Sequence, residues 1–237
     1  MSVSGAEPAR STAGEWFAGM VSEYDSLIRR AVPRYEEMTG ELVACLPATA
    51  IRILELGCGT GNFSLALAAR FPSVALTTVD AAQEMIDVTR DRMTGAHPDV
   101  ASRARFVTAK FEELSFDGEG FDLITSCISL HHVRDKEALF RVLRRALAPN
   151  GRLCFADQMR ADPEEMNQRN WDAWLAFCRM PGNCTEEEIE RLVEHAAAHD
   201  HYETVAQHLG MLERTGFSEL DCLWRSGMWA IVTATKH

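Results

Sequence analysis

The chain lacks three features that would assign it to large classes of protein. No apolar run approaches the roughly 20 residues that a membrane-spanning helix needs. The seven cysteines are an odd number, and no two of them stand in a C-x-x-C pair. The sequence therefore predicts reduced thiols in a cytoplasmic protein, not a disulfide framework. The amino terminus has no apolar signal-peptide core, and residues 1–14 are expected to form a disordered leader.

Positive charge is also scarce. Lysine and arginine number 24 against 35 acidic residues, which gives a formal net charge of −11. Surfaces that bind nucleic acid or anionic membranes need clustered cations to neutralise phosphate. The expected partner is therefore a small-molecule substrate, with no nucleic acid and no membrane. The sequence leaves a homodimer possible.

A glycine-rich turn is the most informative stretch. An apolar run from Ile51 to Leu56 predicts a buried strand, and Ser64 to Arg70 predicts a helix. Between them the glycines Gly57, Gly59 and Gly61 have the spacing G-x-G-x-G. A dinucleotide site would have G-x-G-x-x-G, with a pyrophosphate at the helix N-terminus.

Two carboxylates flank this turn. Glu55 lies inside the first strand, and Asp80 ends the second apolar run, where it could accept hydrogen bonds from ribose hydroxyls. A carboxylate beside the turn repels a pyrophosphate but suits a cationic ligand. The pattern indicates S-adenosylmethionine as the cofactor and S-adenosylhomocysteine as its product.

Strands alternate with helical stretches through the middle of the chain, which predicts a parallel sheet with right-handed crossovers. The predicted fifth strand, Arg152 to Ala156, follows a turn at Pro149-Asn150-Gly151. Ligands of such sheets bind at the carboxyl ends of the strands. Four groups fall at that edge: residues 57–61, Asp80, residues 127–132 and Asp157.

The remaining pattern predicts five segments. After the leader, residues 15–47 form a helical segment broken by Pro33, and residues 48–160 form the cofactor-binding core. Residues 161–200 form a helical cap inserted after the fifth strand, in which Thr185 is expected to cap a helix. Residues 201–237 complete the core with a helix, starting near Tyr202, and a β-hairpin.

If S-adenosylmethionine donates its methyl group to a hydroxyl or a protonated amine, a base must remove the proton of that acceptor. The candidates are His131, His132, Asp157 and a second group that comprises His195, His199, Asp200, His201 and Tyr202. From these, His132, His201 and Tyr202 are the predicted catalytic residues. The second group also resembles a set of metal ligands. It carries no recognised metal motif, so a solvated polar helix end is favoured and no metal is predicted.

Successive motifs support a family resemblance. The stretches Glu55-Leu-Gly-Cys-Gly-Thr-Gly, Asp80, Phe121-Asp-Leu-Ile with Leu130-His-His, and Leu147-Ala-Pro-Asn-Gly-Arg-Leu resemble the motifs of class I S-adenosylmethionine-dependent methyltransferases. The segments Tyr24 to Tyr35 and Tyr202 to Trp224 resemble the branch that includes carboxy-S-adenosylmethionine synthase. The resemblance implies a Rossmann-like α/β fold with a mostly parallel seven-stranded sheet in the order 3-2-1-4-5-7-6, flanked by helices.

The resemblance also implies the cofactor contacts. In the synthase branch a tyrosine after the proline contacts the cofactor, which corresponds to Tyr35. The family's third motif usually offers an aspartate to adenine, whereas this chain has Thr108-Ala109-Lys110-Phe111, which leaves backbone groups for that contact. The predicted cofactor-binding residues are Tyr35, Glu55, Gly57, Cys58, Gly59, Asp80, Ala81, Met85, Lys110, Phe111, Cys127 and His132.

The predicted function is transfer of a methyl group to a small molecule. The sequence has neither the Asn-Pro-Pro-Tyr segment of amino-group methyltransferases nor the Pro-Cys nucleophile of cytosine-5 enzymes. The alternatives are an enzyme that carboxylates the cofactor, as the synthase does, and a non-catalytic regulator that binds S-adenosylmethionine. An NAD-dependent oxidoreductase is a more distant alternative.

Overall fold

The computed structural model describes residues 21–116 and 120–237. The expected leader, residues 1–14, and the start of the N-terminal helical segment lie outside the described residues. Among the residues described, no helix combines the length and the apolar character needed to cross a bilayer.

A seven-stranded sheet organises the molecule. Its order is β3-β2-β1-β4-β5-β7-β6; the first five strands in this order are parallel, and β7 is antiparallel to both β5 and β6. This confirms the predicted fold and strand order. The strands are β1 (Arg52–Leu56), β2 (Ala75–Asp80), β3 (Arg105–Thr108), β4 (Phe121–Cys127), β5 (Leu147–Gln158), β6 (Ser218–Ser226) and β7 (Trp229–Thr235).

Helices cover both faces of this sheet. One face packs against Met38, Leu42 and Leu67, and the other against Phe140 and Leu143, all fully buried. The helices are α1 (Val21–Ala31), α2 (Tyr35–Cys45), α3 (Asn62–Arg70), α4 (Gln83–Ala96), α5 (Pro98–Ala101), α6 (Lys136–Ala146), α7 (Glu164–Cys178), α8 (Glu186–His199) and α9 (Val205–Arg214), with 3-10 turns at Phe111–Glu113 and Leu130–His132.

Local sequence signals set several helix ends. Pro33 falls between α1 and α2, where it cannot continue a helix. Thr185 caps α8 by accepting a hydrogen bond from the amide of Glu188, as predicted. Thr204 caps α9 in the same way, so this helix begins at Val205 and not at Tyr202. The residues just before Thr204 therefore lie outside the helix.

Strand β5 begins earlier than predicted, at Leu147 and not at Arg152. Phe121 pairs with Leu147 and Leu123 pairs with Arg152, so the intervening residues of β5 form a bulge. Asn150 adopts a positive φ of 59° there. The chain therefore bends at Pro149-Asn150-Gly151, as predicted, but inside the strand and not before it.

Candidate active site

The carboxyl ends of β1 and β2 meet at the glycine turn. The amides of Gly57 and Cys58 both donate hydrogen bonds to the carbonyl of Val79, at 2.8 and 3.1 Å. The turn is therefore held directly against the end of β2, and it approaches the end of β4 through Ser129. Ser129 Oγ donates a hydrogen bond of 3.1 Å to the carbonyl of Leu56.

Gly57 must be glycine at this point. Its φ is +71°, and a Cβ on it would lie 2.3 Å from the Cβ of Ser129. Gly59 has a φ of +52° and would place a Cβ 3.5 Å from the Tyr24 ring. Side chains at these two glycines are disfavoured by the backbone conformation, and at Gly57 also by a close neighbour, which leaves main-chain groups accessible to a ligand.

Asp80 is fixed beside the turn. Its Oδ2 accepts a hydrogen bond of 2.9 Å from the amide of Gly59, and its Oδ1 accepts one of 3.0 Å from the amide of Ala82. Burial raises the pKa of Asp80, and the amide donors of Ala82 and Gly59 oppose that rise. The carboxylate is thus oriented at the tip of β2, where the sequence predicted a ribose contact.

Glu55 lies beneath the turn and is fully buried. Its Oε2 accepts hydrogen bonds from Ser64 at 2.6 Å and Thr78 at 2.9 Å, whereas its Oε1 has no hydrogen-bond partner among the described residues. Burial raises the pKa of Glu55 to about 7. A buried carboxylate oxygen that lacks a donor fits the cationic ligand inferred from the sequence.

The other predicted cofactor contacts differ in exposure. Tyr35, Cys58 and Met85 are buried, and Phe111, Cys127 and His132 are half-buried. Ala81 and Lys110 are exposed. Their contact with a cofactor stays a prediction.

Tyr24 is a residue to which the sequence analysis assigns no role. Its ring lies against Gly59, and burial raises the pKa of its hydroxyl, with further contributions from the nearby Tyr35, Cys127 and Asp80. Helical periodicity does not distinguish a core tyrosine from one that faces a site. The resemblance to the synthase branch around Tyr24 was the only available signal.

Asp25 fastens α1 to the glycine turn. It accepts hydrogen bonds from Thr60 Oγ1 and from Asn62 Nδ2, the latter at 3.1 Å. Its Oδ2 also pairs with Arg92 Nη1 at 2.7 Å, and the same Arg92 nitrogen donates to the carbonyl of Thr60 at 2.7 Å. The N-terminal helix is therefore anchored at the cofactor end of the site.

The same helix also holds the cap. Arg30 forms a two-pronged ion pair with Glu188 of α8, with N–O distances of 2.6 and 2.9 Å. Trp174 of α7 donates a hydrogen bond of 2.9 Å to the carbonyl of Ala31. Helices α1, α7 and α8 are thus linked to one another by these contacts.

A buried polar cluster lies at the ends of β4 and β5. His131 Nδ1 is 2.5 Å from Asp157 Oδ1, His132 Nδ1 is 2.9 Å from Asp200 Oδ1, and Tyr202 donates its hydroxyl to Asp200 Oδ2. Asp200 is the centre of this cluster, with His131 Nε2 at 3.8 Å and His195 Nε2 at 3.7 Å from its Oδ1.

The prediction of a solvated polar helix end is wrong for two members of the second group. The side chains of Asp200 and His195 are only 5% and 7% exposed. The C-terminal end of α8 brings them over the edge of the sheet, so they meet His132 from the other predicted group. The sequence presented the two histidine groups as separate because 62 residues stand between His132 and His195.

The histidines of this cluster differ in the direction in which their pKa values are shifted. Burial lowers the pKa of His195 to about 4 and also lowers the pKa of His132, so both rings are neutral at pH 7. Burial opposes protonation of His131 too, but Asp157 and Asp200 outweigh it and raise the pKa of that ring. Burial likewise opposes ionisation of Asp200, but the adjacent histidines prevail and its pKa is lowered.

His201, a predicted catalytic residue, takes part through its main chain. Its amide donates a hydrogen bond of 2.7 Å to the carbonyl of His131, and its carbonyl accepts one from Lys136 Nζ. Lys136 also donates to the carbonyl of Val133 at 2.8 Å and is itself buried. The sequence gave no signal for this buried lysine, which begins α6.

Comparisons with known proteins agree with this geometry. Residues 53–151 match the family model described as a methyltransferase domain. The carboxy-S-adenosyl-L-methionine synthase of Trichodesmium erythraeum is 25% identical over 212 residues, which cover 87% of this chain and 82% of the synthase. The ubiquinone/menaquinone biosynthesis C-methyltransferase UbiE of Pseudomonas putida is 30% identical over 178 residues, which cover 71% of this chain and 66% of that relative.

The comparisons together indicate a class I S-adenosylmethionine-dependent methyltransferase. The chain spans slightly less than two thirds of the length of UbiE, and more of the synthase. Among solved structures, phospholethanolamine N-methyltransferase 2 of Haemonchus contortus, in complex with phosphomonomethylethanolamine and S-adenosylhomocysteine, superposes with a TM-score of 0.66 at 15% identity. That superposition covers 92% of this methyltransferase and 58% of its neighbour, and it supports the fold.

S-adenosylmethionine is the cofactor of this methyltransferase. The residues present fit it, because Gly57 and Gly59 carry no side chains, Asp80 is oriented at the tip of β2, and Glu55 has a carboxylate oxygen without a donor among the described residues.

Proposed function

We propose that this methyltransferase transfers the methyl group of S-adenosylmethionine to a small-molecule acceptor, at the edge of the sheet that α1 and α8 approach. The observation that carries the proposal is the position of the buried cluster around Asp200. Strand β4 lies between β1 and β5, with Ser126 paired to Leu56 and Cys127 paired to Ala156, so Asp157 of the cluster is separated by one strand from the end of β1 that carries the glycine turn. The cluster and the cofactor end are therefore neighbours.

The residues at the cofactor end are proposed to bind different parts of the cofactor. Gly57 and Gly59 would receive the ligand against the main chain, Asp80 would bind the ribose, and Glu55 would balance the positive charge of the amino-acid end. Tyr35 and Met85 would close the site on either side. When bound, S-adenosylmethionine supplies an electrophilic methyl group, and its transfer leaves S-adenosylhomocysteine.

On the acceptor side the chain must position a nucleophile and receive its proton. In-line displacement depends mainly on near-attack geometry and on the exclusion of water. The C-terminal end of α8 brings a buried polar cluster to this edge of the sheet. A hydroxyl or amine acceptor would therefore contact His132, Asp200 and Tyr202 there. These groups are proposed to orient the acceptor and to take up the proton that it loses.

The partner expectations remain part of the proposal. The excess of 35 acidic over 24 basic residues supports a small-molecule acceptor and disfavours nucleic acid. The cytoplasmic setting and the absence of a membrane partner are proposed on the same sequence grounds, and a homodimer is left open.

A direct test measures release of S-adenosylhomocysteine across a panel of hydroxylated and amine acceptors. With an active acceptor, Asp200→Asn is expected to lower kcat by at least tenfold and to leave the affinity for S-adenosylhomocysteine unchanged. The matched control is Asp91→Asn, because Asp91 is exposed and distant in sequence from the cluster. Full turnover by Asp200→Asn would contradict the proposal. Tight cofactor binding with no release on any acceptor would instead support the non-catalytic regulator.

Cofactor carboxylation is a second candidate, favoured by one observation. The alignment with the carboxy-S-adenosyl-L-methionine synthase covers 87% of this chain, well beyond the methyltransferase domain at residues 53–151. Mass spectrometry of the ligand that copurifies with the protein tests this candidate. A mass equal to S-adenosylmethionine or S-adenosylhomocysteine favours methyl transfer, and a ligand heavier by one carboxylate favours the synthase reaction.

A further inference from the structure

We propose that His131, His132 and Asp200 form a binding site for a divalent first-row metal ion of the zinc class. One ligand atom from each of the three residues lies within 4.8 Å of the other two. His132 Nδ1 and Asp200 Oδ1 are 2.9 Å apart, and His131 Nε2 is 3.8 Å from the same oxygen. Adjacent ligands of a bound ion, each about 2.0–2.1 Å from the metal, have similar separations.

The groups around these three residues supply an independent argument. His131 reaches Asp157 through Nδ1 at 2.5 Å, which directs its other ring nitrogen toward Asp200. Tyr202 donates its hydroxyl to the second oxygen of Asp200, which leaves Oδ1 directed at the histidines. A carboxylate on the far nitrogen of a histidine and a hydrogen bond on a ligating carboxylate are the usual supports of metal sites, because they fix ring tautomer and orientation.

The chemical type of the ligand atoms favours particular metal ions. Two imidazoles and one carboxylate suit zinc, iron, cobalt or manganese, whereas calcium and magnesium prefer oxygen ligands throughout. Three protein ligands leave further positions on the ion for water or another molecule. His195 Nε2, 3.7 Å from Asp200 Oδ1, is placed to serve as a fourth ligand or to bind that molecule.

The charge balance of the cluster supports a cation. Asp157 and Asp200 are both almost completely shielded from solvent, with side-chain exposures of 0% and 5%. Among the described residues, the Lys136 ammonium donates to the carbonyls of Val133 and His201 and not to either carboxylate, whereas His131 lies beside both carboxylates. A dication bound by neutral His131 and His132 would place positive charge next to both buried carboxylates.

The sequence predicted no metal because the second histidine group carries no recognised metal motif, and it favoured a solvated helix end. The burial of Asp200 and His195 removes that alternative. If methyl transfer at this edge holds as proposed above, the ion would bind an oxygen of the acceptor, so the acceptor class would be hydroxylated small molecules. His195 would then take up the proton of the acceptor, because His132 and Asp200 would be ligands of the ion. The metal proposal does not itself depend on that reaction.

The test is titration of the untagged, metal-free full-length protein with Co²⁺, without cofactor, followed by visible absorption. The expected result is one Co²⁺ per chain with ligand-field bands, displaced by Zn²⁺. His132→Ala and Asp200→Asn are expected to weaken Co²⁺ binding by at least tenfold, and Asp157→Asn by about 10–100-fold. His237→Ala removes an exposed histidine elsewhere and is expected to change nothing.

Each outcome has a defined meaning. Far-ultraviolet circular dichroism and a cooperative urea transition show that each variant is folded. The proposal is overturned if the wild-type protein binds no Co²⁺ at stoichiometric concentration, or if folded His132→Ala binds it as tightly as the wild type. Because neither readout needs turnover, methyl transfer without Co²⁺ binding would remove the metal site alone. Binding of Co²⁺ without methyl transfer would leave the metal site and remove the proposed reaction.

Discussion

At the scale of single residues, Gly57 is subject to two separate constraints. Its left-handed backbone conformation disfavours any side chain, and its missing Cβ makes room for Ser129 from the end of β4. The backbone constraint is visible in the sequence as a glycine turn. The contact with Ser129 is not, because the two residues lie 72 positions apart and meet only when β1 and β4 pair.

Gly57→Ala is expected to destabilise the protein by about 2–4 kcal/mol and to abolish cofactor binding. The added Cβ would lie 2.3 Å from the side chain of Ser129, and the next neighbour, Phe111, is at an acceptable 3.4 Å. The double variant Gly57→Ala with Ser129→Gly removes the clash and should recover part of the stability. Urea unfolding measures both effects, and absence of any recovery would contradict the assigned contact.

Glu55 gives a prediction about pH. Burial raises its pKa in the folded protein from 4.5 to about 7. The stability associated with this group is therefore fully present below pH 4.5 and is lost as the pH rises through 7, by about 3 kcal/mol in total. Glu55→Gln is neutral at every pH, so without cofactor it should match the wild type at pH 4 and exceed its stability at pH 8. Urea unfolding at the two pH values measures this difference. Equal stability of the two proteins at pH 8 would show that Glu55 is not buried as a charged group.

At the scale of secondary-structure elements, α1 joins the glycine turn to helix α8. This helix contacts the glycine turn through Asp25, and it contacts α8 through Arg30. Helix periodicity predicted the presence of α1, whereas its docking partners follow from residues far away in the chain. The helix therefore connects the cofactor end of the site to the helices near its acceptor end.

Arg30→Met is expected to cost about 1–2 kcal/mol at pH 7, because it breaks a two-pronged and partly shielded ion pair with Glu188. Arg30 lowers the pKa of Glu188 from 4.5 to about 2, so the contribution of the pair is present above pH 4.5 and is lost as the pH falls toward 2. Urea unfolding at pH 7 and pH 3 measures the loss.

Arg179→Met provides the control for this pair. Arg179 contacts Glu186 at 3.1 Å, but both side chains are more than half exposed, so its loss should cost less than about 0.5 kcal/mol. Equal losses in the two variants would show that the Arg30 pair does not hold the cap.

At the scale of the whole molecule, the sheet brings together residues from distant parts of the chain. The site draws on α1 at residues 24 and 25, on the ends of β1, β2, β4 and β5, and on the segment that follows α8. Ligand binding should therefore stabilise the fold as a unit and not one segment alone.

Saturating S-adenosylhomocysteine is expected to raise the free energy of unfolding, by about 2.7 kcal/mol at 100 times its dissociation constant. It should also slow proteolysis within α1, because this helix contacts the glycine turn directly. Thermal unfolding and limited proteolysis with and without the ligand measure the two effects. Asp25→Ala, which releases α1 from the turn, should remove the protection of α1 while the core still binds the ligand. Protection that persists in Asp25→Ala would contradict the assigned anchor.

The sequence by itself determined the glycine turn, the carboxylates at positions 55 and 80, and the cofactor class, and its resemblance to a known family implied the sheet order. The first three features are carried by local periodicity and by short motifs, which depend on neighbours in the chain. The start of β5 was missed, because the pairing of Leu147 with Phe121 on β4 depends on a strand far away in the sequence.

Only the tertiary structure decided the composition of the acceptor end. His131 and His132 follow β4, Asp157 lies in β5, and His195, Asp200 and Tyr202 belong to α8 and the segment after it. Their meeting depends on the packing of α8 over the sheet edge, an arrangement that no local pattern encodes. Burial then sets their charges, because the pKa of a histidine depends on the solvent and the carboxylates around it and not on its neighbours in sequence.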